Sequence, residues 1–257
     1  MSFDPQACAR FFLKAHDARQ AYEDPPADFG PATLDEAYAA QGALHALLLE
    51  RRGPIGGWKI ATTTKVMQRL VGIDHPCFGA VFASTIAASA SPIPLSRFVS
   101  LKIECEIALR LGAALPPRTD WTAETVAPVV AGAMPAFELV EDRNADYSKL
   151  RAFGLIADNC WNAGVVLGPE RPFGRREGVI GVEGRHLVDG ALVVEGASDD
   201  PAAALADVAN HCGRLGITMA AGAIVMTGSL VATQKLTAGQ RLRFEVDGLG
   251  AVEATAV

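Results

Sequence analysis

The 257-residue chain has few cysteines, five in all, and no two of them form a CxxC pair. Cys8, Cys77, Cys105, Cys160 and Cys212 are odd in number and scattered. That usage argues against a disulfide framework or a cysteine zinc site and fits a reducing cytoplasm. No run of about 18 apolar residues occurs, so no membrane-crossing segment is predicted. The opening stretch, MSFDPQACARFFLKAHD, lacks the continuous apolar run of a signal peptide. Basic residues are in deficit: 23 Lys and Arg against 29 Asp and Glu give a net charge of −6. General nucleic-acid or anionic-membrane binding is thereby disfavoured, although a local positive pocket for a small anion is not. There is no GxGxxG after a predicted strand, no GxxxxGK[ST] loop and no GxSxG elbow. The histidines form no ligand cluster. Only His75, in IDHPCFG, is retained as a substrate-binding candidate, because it falls near the Lys59 segment.

What is present is a globular composition. Half of the residues are apolar and a fifth charged, enough for a sizeable core in one large domain or a core with an appended subdomain. Helical signals dominate residues 1–95, which carry the Lys59 segment. A helix is predicted over 5–22, and a second begins at Thr33, where Thr33 and Glu36 have capping-box spacing and Gly53-Pro54 ends the run. KVMQRLVG reads as a further short helix. Residues 96–257 read as a β-rich core that would hold the catalytic groups. LKIECEIALRL alternates polar and apolar, and Asp189-Gly190 is a hairpin turn between two extended runs. DGLG punctuates a similar pair at the C-terminus, and Asp200-Pro201 opens a helix that ends by Gly216. Strands and helices do not alternate regularly, so the expected class is α+β.

In LKIECEIALRL a period of two puts Glu104 and Glu106 on one strand face, roughly 6–7 Å apart. Two carboxylates so placed repel unless solvated or bridged by a cation, and hard oxygen ligands suit Mg²⁺ or Mn²⁺. The simpler alternative is the solvent face of an amphipathic strand, with Lys102 and Arg110 as counter-charges. Glu138 lies in AGAMPAFELV, an otherwise apolar or small run, where a buried carboxylate needs a cation or strong donors. A solvent-facing strand end, or pairing with Arg143, would also accommodate it. Lys59 follows Gly56-Gly57 between Trp58 and Ile60. Partly desolvated, it would have a lowered pKa and act as a base, or hold a carboxylate when charged. A snorkelling surface lysine is the alternative. Asp158-Asn159 would orient ligands or cap a turn, and Thr227-Gly228-Ser229 offers hydroxyl and N–H groups to an anion.

Taken in order, LDEAYAAQ, GGWKIATTTKVMQRLVGIDHPCFGAVF, IECEIALRLG, PAFELVEDR, IADNCWNAGVVLG, DPAAALADVANHCGRLG, AGAIVMTGSL and GLGAV resemble the fumarylacetoacetate hydrolase superfamily. Within it they resemble the 2-keto-4-pentenoate hydratase and 4-oxalocrotonate decarboxylase branch, from about residue 33 to 252. The resemblance implies a mixed β-roll core with a helical N-terminal part. It implies Mg²⁺ or Mn²⁺ on Glu104, Glu106 and Glu138, and catalysis by Lys59. Ser229, and Thr63 or Thr64, fall where the branch supplies hydroxyls near the substrate carboxylate. The implied partner is a small 2-keto acid; the implied assembly is a homo-oligomer, with a complex with a companion pathway enzyme as the alternative. The implied reaction is hydration of a 2-hydroxy-2,4-dienoate or 2-oxo-enoate from aromatic or steroid catabolism. A decarboxylase, an acylpyruvate hydrolase and a non-catalytic partner are the alternatives. Two departures stand out: Ala61-Thr62-Thr63-Thr64 replaces the usual GLTS, and Cys77 replaces an Asp.

Overall fold

The computed structural model describes residues 3–257. Its first part holds α1 (Pro5–Asp17), α2 (Leu34–Arg52), β1 (Ile55–Ala61), α3 (Lys65–Val71), β2 (Cys77–Phe82), β3 (Ile86–Ala88) and β4 (Pro92–Ile93). There follow β5 (Leu101–Leu111), α4 (Ala123–Val126), β6 (Val130–Glu141), α5 (Ala152–Ala157), β7 (Asn162–Leu167) and β8 (Arg171–Pro172). The last part holds β9 (Glu183–Val188), β10 (Ala191–Ala197), α6 (Pro201–Arg214), β11 (Ile224–Ser229), β12 (Gln234–Lys235), β13 (Arg241–Val246) and β14 (Gly250–Ala256). No helix among the described residues is long and apolar enough to cross a membrane.

The punctuation read from the sequence acts as capping chemistry predicts. Thr33 Oγ1 accepts from the Glu36 N–H at 3.2 Å, while the Glu36 carboxylate reaches back to the Ala32 N–H at 2.7 Å. Asp200 caps α6 through the N–H groups of Ala202 and Ala203. Asp189 and Gly190 both take positive φ, 52° and 84°, as a tight turn between β9 and β10 requires. The first helix is shorter than expected: it ends at Asp17, and Arg19 turns the chain at φ 47°.

Two sheets carry the core. The larger has nine strands, in the order β2-β1-β11-β5-β6-β7-β3, with β12 on β5 and β8 on β6. The smaller runs β10-β9-β13-β14-β4, and β13 and β14 pack on β6. Phe137 of β6 meets Phe244 of β13 and His186 of β9 between them. Helix α6 lies against β1, β5 and β11, while α1 packs on α2. The class is α+β, as expected. The boundary expected near residue 95 does not coincide with a break in the sheet, because β1 and β2 pair directly into the sheet of β5 and β6. Gly57 makes the β1–β11 junction possible: a Cβ there would stand 2.3 Å from the Ile224 carbonyl oxygen.

His45 and His211 are two of the three buried histidines, and both are uncharged. His45 donates its Nε2–H to Asn159 Oδ1 at 2.7 Å, an oxygen that also accepts from the Ala80 N–H. Burial pushes its pKa down to about 4. His211 lies against the rings of Tyr38 and Phe78, centroids 4.3 and 4.4 Å away. Burial, reinforced by Arg214, pushes it to about 3. Both values lie below the unfolded value of about 6.5, so these groups cost nothing above that pH and destabilise the fold as pH falls below it. The expected loss is ~1.4 kcal/mol per pH unit for each histidine while only the unfolded chain takes up its proton. His211→Phe removes one such share, as urea midpoints at pH 7 and pH 5 would reveal. Undiminished acid sensitivity in that variant would contradict the assignment.

Candidate active site

The pairing of β5 with β6 creates the centre of the site. Glu104 stands directly opposite Glu138, Glu106 stands opposite Ala136, and on the other side of β5 Ser229 of β11 faces Glu106. Each of Glu104, Glu106 and Glu138 offers a carboxylate oxygen within 4.8 Å of the others. Alternation along β5 holds as read, with Leu101, Ile103, Cys105, Ile107 and Leu109 all in the core. The glutamate-bearing face is not a solvent face, however: Glu106 and Glu138 are both 0% exposed. Glu138 also does not pair with Arg143, which binds Asp158 instead.

The donors around the trio cover only part of it. Lys59 Nζ lies 3.1 Å from Glu138 Oε1, which also accepts from Asn162 Nδ2 at 3.0 Å. The Gly228 N–H donates to Glu106 Oε2 at 2.8 Å, and the Thr233 hydroxyl to Glu104 Oε1 at 2.7 Å. Glu106 Oε1 and Glu138 Oε2 are buried without a hydrogen-bond partner. A carboxylate oxygen in that position is costly unless a cation or a proton meets it. Burial, then Glu138 and Glu104, drive the Glu106 pKa well up. Burial raises Glu138 to about 7 against the pull of Lys59. Three carboxylates and one ammonium leave an excess of negative charge, and the oxygen-only donor set fits a hard divalent ion.

Lys59 is not a snorkelling surface residue, being 2% exposed. Its expected low pKa is corrected by its partner. Burial works against the charge, but Glu138, with Glu104 behind it, outweighs burial and holds the pKa above the usual lysine value. Lys59 therefore carries its proton, and its Nζ also lies 3.4 Å from the Cys160 carbonyl oxygen. Cys77, on the neighbouring strand, is fully buried. The adjoining Cys160 thiol lowers its pKa, burial opposes this, and Thr62 and Lys59 lower it further.

A cavity of about 500 Å³ opens beside Glu104, lined among others by Thr62, Thr63, Thr64, Gly228, Ser229 and Val231. The three threonines differ in what they do. Thr62 Oγ1 accepts from the Cys77 N–H, and Thr64 Oγ1 caps α3 through the Met67 N–H. Thr63 is exposed to the cavity, and its hydroxyl has no hydrogen bond among the described residues. Ser229 Oγ accepts from the Cys105 N–H at 3.2 Å and donates to the Val231 carbonyl at 2.7 Å. Two sequence candidates are not brought to this cavity. His75 lines another, with Tyr38, Phe78 and His211. Asp158 is buried between Arg143 Nη2 at 2.5 Å and His16 Nε2 at 2.7 Å. Sequence reasoning missed Asn162 and Thr233. The first lay in a quoted segment whose Asp158-Asn159 drew the attention, and the second had no signal beyond its place after Ser229.

Gly228 combines φ 99° with a position where a Cβ would meet Thr63 Cγ2 at 3.1 Å. Gly228→Ala should cost about 1–2 kcal/mol of stability through the left-handed backbone alone. It should also weaken binding of a divalent ion, because the N–H that orients Glu106 moves. A calorimetric titration with Mn²⁺ checks this, and wild-type affinity would count against it.

The sequence profile of the family described as "Fumarylacetoacetate (FAA) hydrolase C-terminal" matches residues 61–257. The chain belongs to the fumarylacetoacetate hydrolase family. Among curated relatives it is 34% identical over 231 residues to a 2-keto-4-pentenoate hydratase of Burkholderia vietnamiensis, covering 88% of this chain and 86% of the relative. It is 30% identical over 243 residues to a 2-oxo-hept-4-ene-1,7-dioate hydratase of Escherichia coli, covering 88% and 87%. In fold it is similar to the 4-oxalocrotonate decarboxylase of Pseudomonas putida G7 complexed with magnesium and adipate, with TM-score 0.89, 22% identity, and 98% and 97% of the two chains covered. Members of this family are enzymes, and the mixed β core with N-terminal helices expected from the resemblance is the family's fold.

Proposed function

We propose that this protein is a divalent-metal-dependent hydratase that adds water to a 2-hydroxy-2,4-dienoate or 2-oxo-enoate, giving a 4-hydroxy-2-oxo acid. The observation that carries the reading is the cluster of Glu104, Glu106 and Glu138, of which Glu106 Oε1 and Glu138 Oε2 are buried without a partner. These three glutamates would hold the ion, Mg²⁺ or Mn²⁺. When bound, the ion supplies a Lewis acid for a chelating 2-oxo carboxylate. A solved fumarylpyruvate hydrolase of Pseudomonas aeruginosa is described as complexed with Mn²⁺ and pyruvate, which supports that pairing of ion and ligand class.

The chain's own residues supply the rest. Lys59 holds a proton at Nζ, 3.1 Å from Glu138 Oε1, and is the site's proton carrier. Asn162 fixes the same carboxylate oxygen, so the ion pair keeps one geometry. Thr63, whose hydroxyl is uncommitted, orients the substrate carboxylate. Thr64 and Ser229 act through the backbone they hold, and Leu230 and Val231 exclude water along the cavity wall. Cys77 stands where an Asp is usual in this branch, so proton transfer falls on Lys59 instead of a second carboxylate. The relatives' names, hydratases of 2-keto-4-pentenoate and of 2-oxo-hept-4-ene-1,7-dioate, support a substrate of this unsaturated 2-oxo acid class, and five buried free cysteines support a reducing cytoplasm as the working compartment. Assembly as a homo-oligomer belongs to the same reading.

A panel of 2-hydroxy-2,4-dienoates, 2-oxo-enedioates and acylpyruvates tests it, with Mg²⁺, with Mn²⁺ and after exhaustive chelation. Loss of dienoate absorbance with formation of a 4-hydroxy-2-oxo acid, abolished by chelation, is the expected result. CO₂ release without hydration would replace this reading with the decarboxylase one. Full activity after chelation would overturn the metal assignment.

A further inference from the structure

A second concave site has none of the three glutamates in its lining. It is a cavity of about 120 Å³ between α1, α2, the segment 97–99 and the turn after α5. One ordered water needs about 10–15 Å³ of such space, so a polyatomic group fits. We propose that this cavity binds a small oxyanion, an inorganic phosphate or sulfate or a short carboxylate.

The charge balance of its lining carries the proposal. Arg19, Arg52, Arg97 and Arg143 line it, against two acids, Asp158 and Glu141. Both acids are already engaged. Asp158 holds Arg143 Nη2 and His16 Nε2, and Glu141 accepts from the backbone N–H groups of Val99, Ser100 and Arg143. Arg52 and Arg97 make no salt bridge among the described residues, and Arg19 donates only to the Ser96 carbonyl. Burial works against the charge on Arg52, with Asp158 offsetting it only in part.

The second observation points at a ligand directly. Arg143 is 2% exposed, and its Nε and Nη1 are buried without a partner. Guanidinium N–H groups out of water require acceptors, and a ring of arginines selects an oxyanion with several acceptor oxygens. None of Glu104, Glu106 and Glu138 lines this cavity, although Asn162, which donates to Glu138, borders it as well.

Thermal-shift and calorimetric titrations with phosphate, sulfate, acetate and succinate, at constant ionic strength with chloride as control, test the site. Saturable stabilisation by one class and not by chloride is expected, since a ligand that binds only the folded state raises its melting temperature. Preference for phosphate and sulfate over the carboxylates assigns an inorganic ligand, and the reverse order assigns a carboxylate. The double variant Arg52→Gln/Arg97→Gln should weaken that binding at least tenfold. Arg97→Gln alone, at the exposed mouth, serves if the double variant does not fold. No saturable binding by any of the four anions, or undiminished binding in a folded variant, would overturn the proposal. Mn²⁺ affinity, read separately on the same variants, should be unchanged, so failure here and failure of the metal reading are distinguishable.

Discussion

Glu106→Gln is expected to raise the melting temperature of the metal-free protein while abolishing its stabilisation by Mn²⁺ or Mg²⁺. The two effects have opposite signs, and both follow from where the side chain sits. Without an ion, Glu106 is fully buried beside Glu104 and Glu138, and burial and those two neighbours raise its pKa well above the usual value. The amide has the same shape, keeps an acceptor for the Gly228 N–H now 2.8 Å from Oε2, and removes one of three like charges. Relief of that repulsion should make the apo variant more stable than apo wild type. With the ion added, wild type should gain stability according to its affinity, while the variant should gain little. Losing even a residue that only orients a ligand weakens metal binding by about 10–100-fold, so loss of a ligand itself should exceed that. Melting curves with and without Mn²⁺, alongside calorimetric titration, read both quantities. A variant that binds Mn²⁺ as wild type does would remove Glu106 from the site.

How much of this was legible in the sequence differs from residue to residue. The alternation of LKIECEIALRL put Glu104 and Glu106 on one face correctly, because a pleated strand has a fixed period. Whether that face met solvent depended on partners that periodicity does not name. Glu138 comes opposite Glu104 only through the β5–β6 register, and Ser229 comes opposite Glu106 only through the β11–β5 pairing. Lys59 shows the limit most clearly. Its packed surroundings were readable from Gly57, Trp58 and Ile60, and they argued for a lowered pKa. The carboxylate that reverses the direction arrives from β6, a strand distant in sequence. Asp158 failed to join the cavity for the same kind of reason, since its partners Arg143 and His16 come from a loop and from α1. Chain order carries local chemistry well and tertiary pairing poorly. Ordered motifs shared with a family bridge the gap only because the family has already assembled the pairings.

Lys59→Met should be the most damaging single change, and its pairing with Glu138→Gln separates structure from chemistry. Lys59 and Glu138 are both essentially without solvent, 2% and 0% exposed, with 3.1 Å between Nζ and Oε1. Removing the ammonium alone leaves the Glu138 carboxylate buried beside two others. Breaking a buried pair from one side typically costs about 3–5 kcal/mol, because the remaining charge is uncompensated. Lys59→Met/Glu138→Gln removes both charges and leaves the Gln carbonyl to accept from Asn162 Nδ2, now 3.0 Å from Glu138 Oε1. The double variant should therefore recover most of the lost stability in denaturant titrations. Activity should not return with it. If Lys59 carries the proton, the single variant loses about 10²–10⁴-fold in turnover, and the double variant loses at least as much, having given up a metal ligand as well. Recovered stability with turnover still absent is the combination that a catalytic Lys59 requires. Activity that rises in step with recovered stability would make Lys59 a structural counter-charge and remove Glu138 from the metal ligands, and the proton carrier would have to be sought first at Cys77, on the strand paired with that of Lys59.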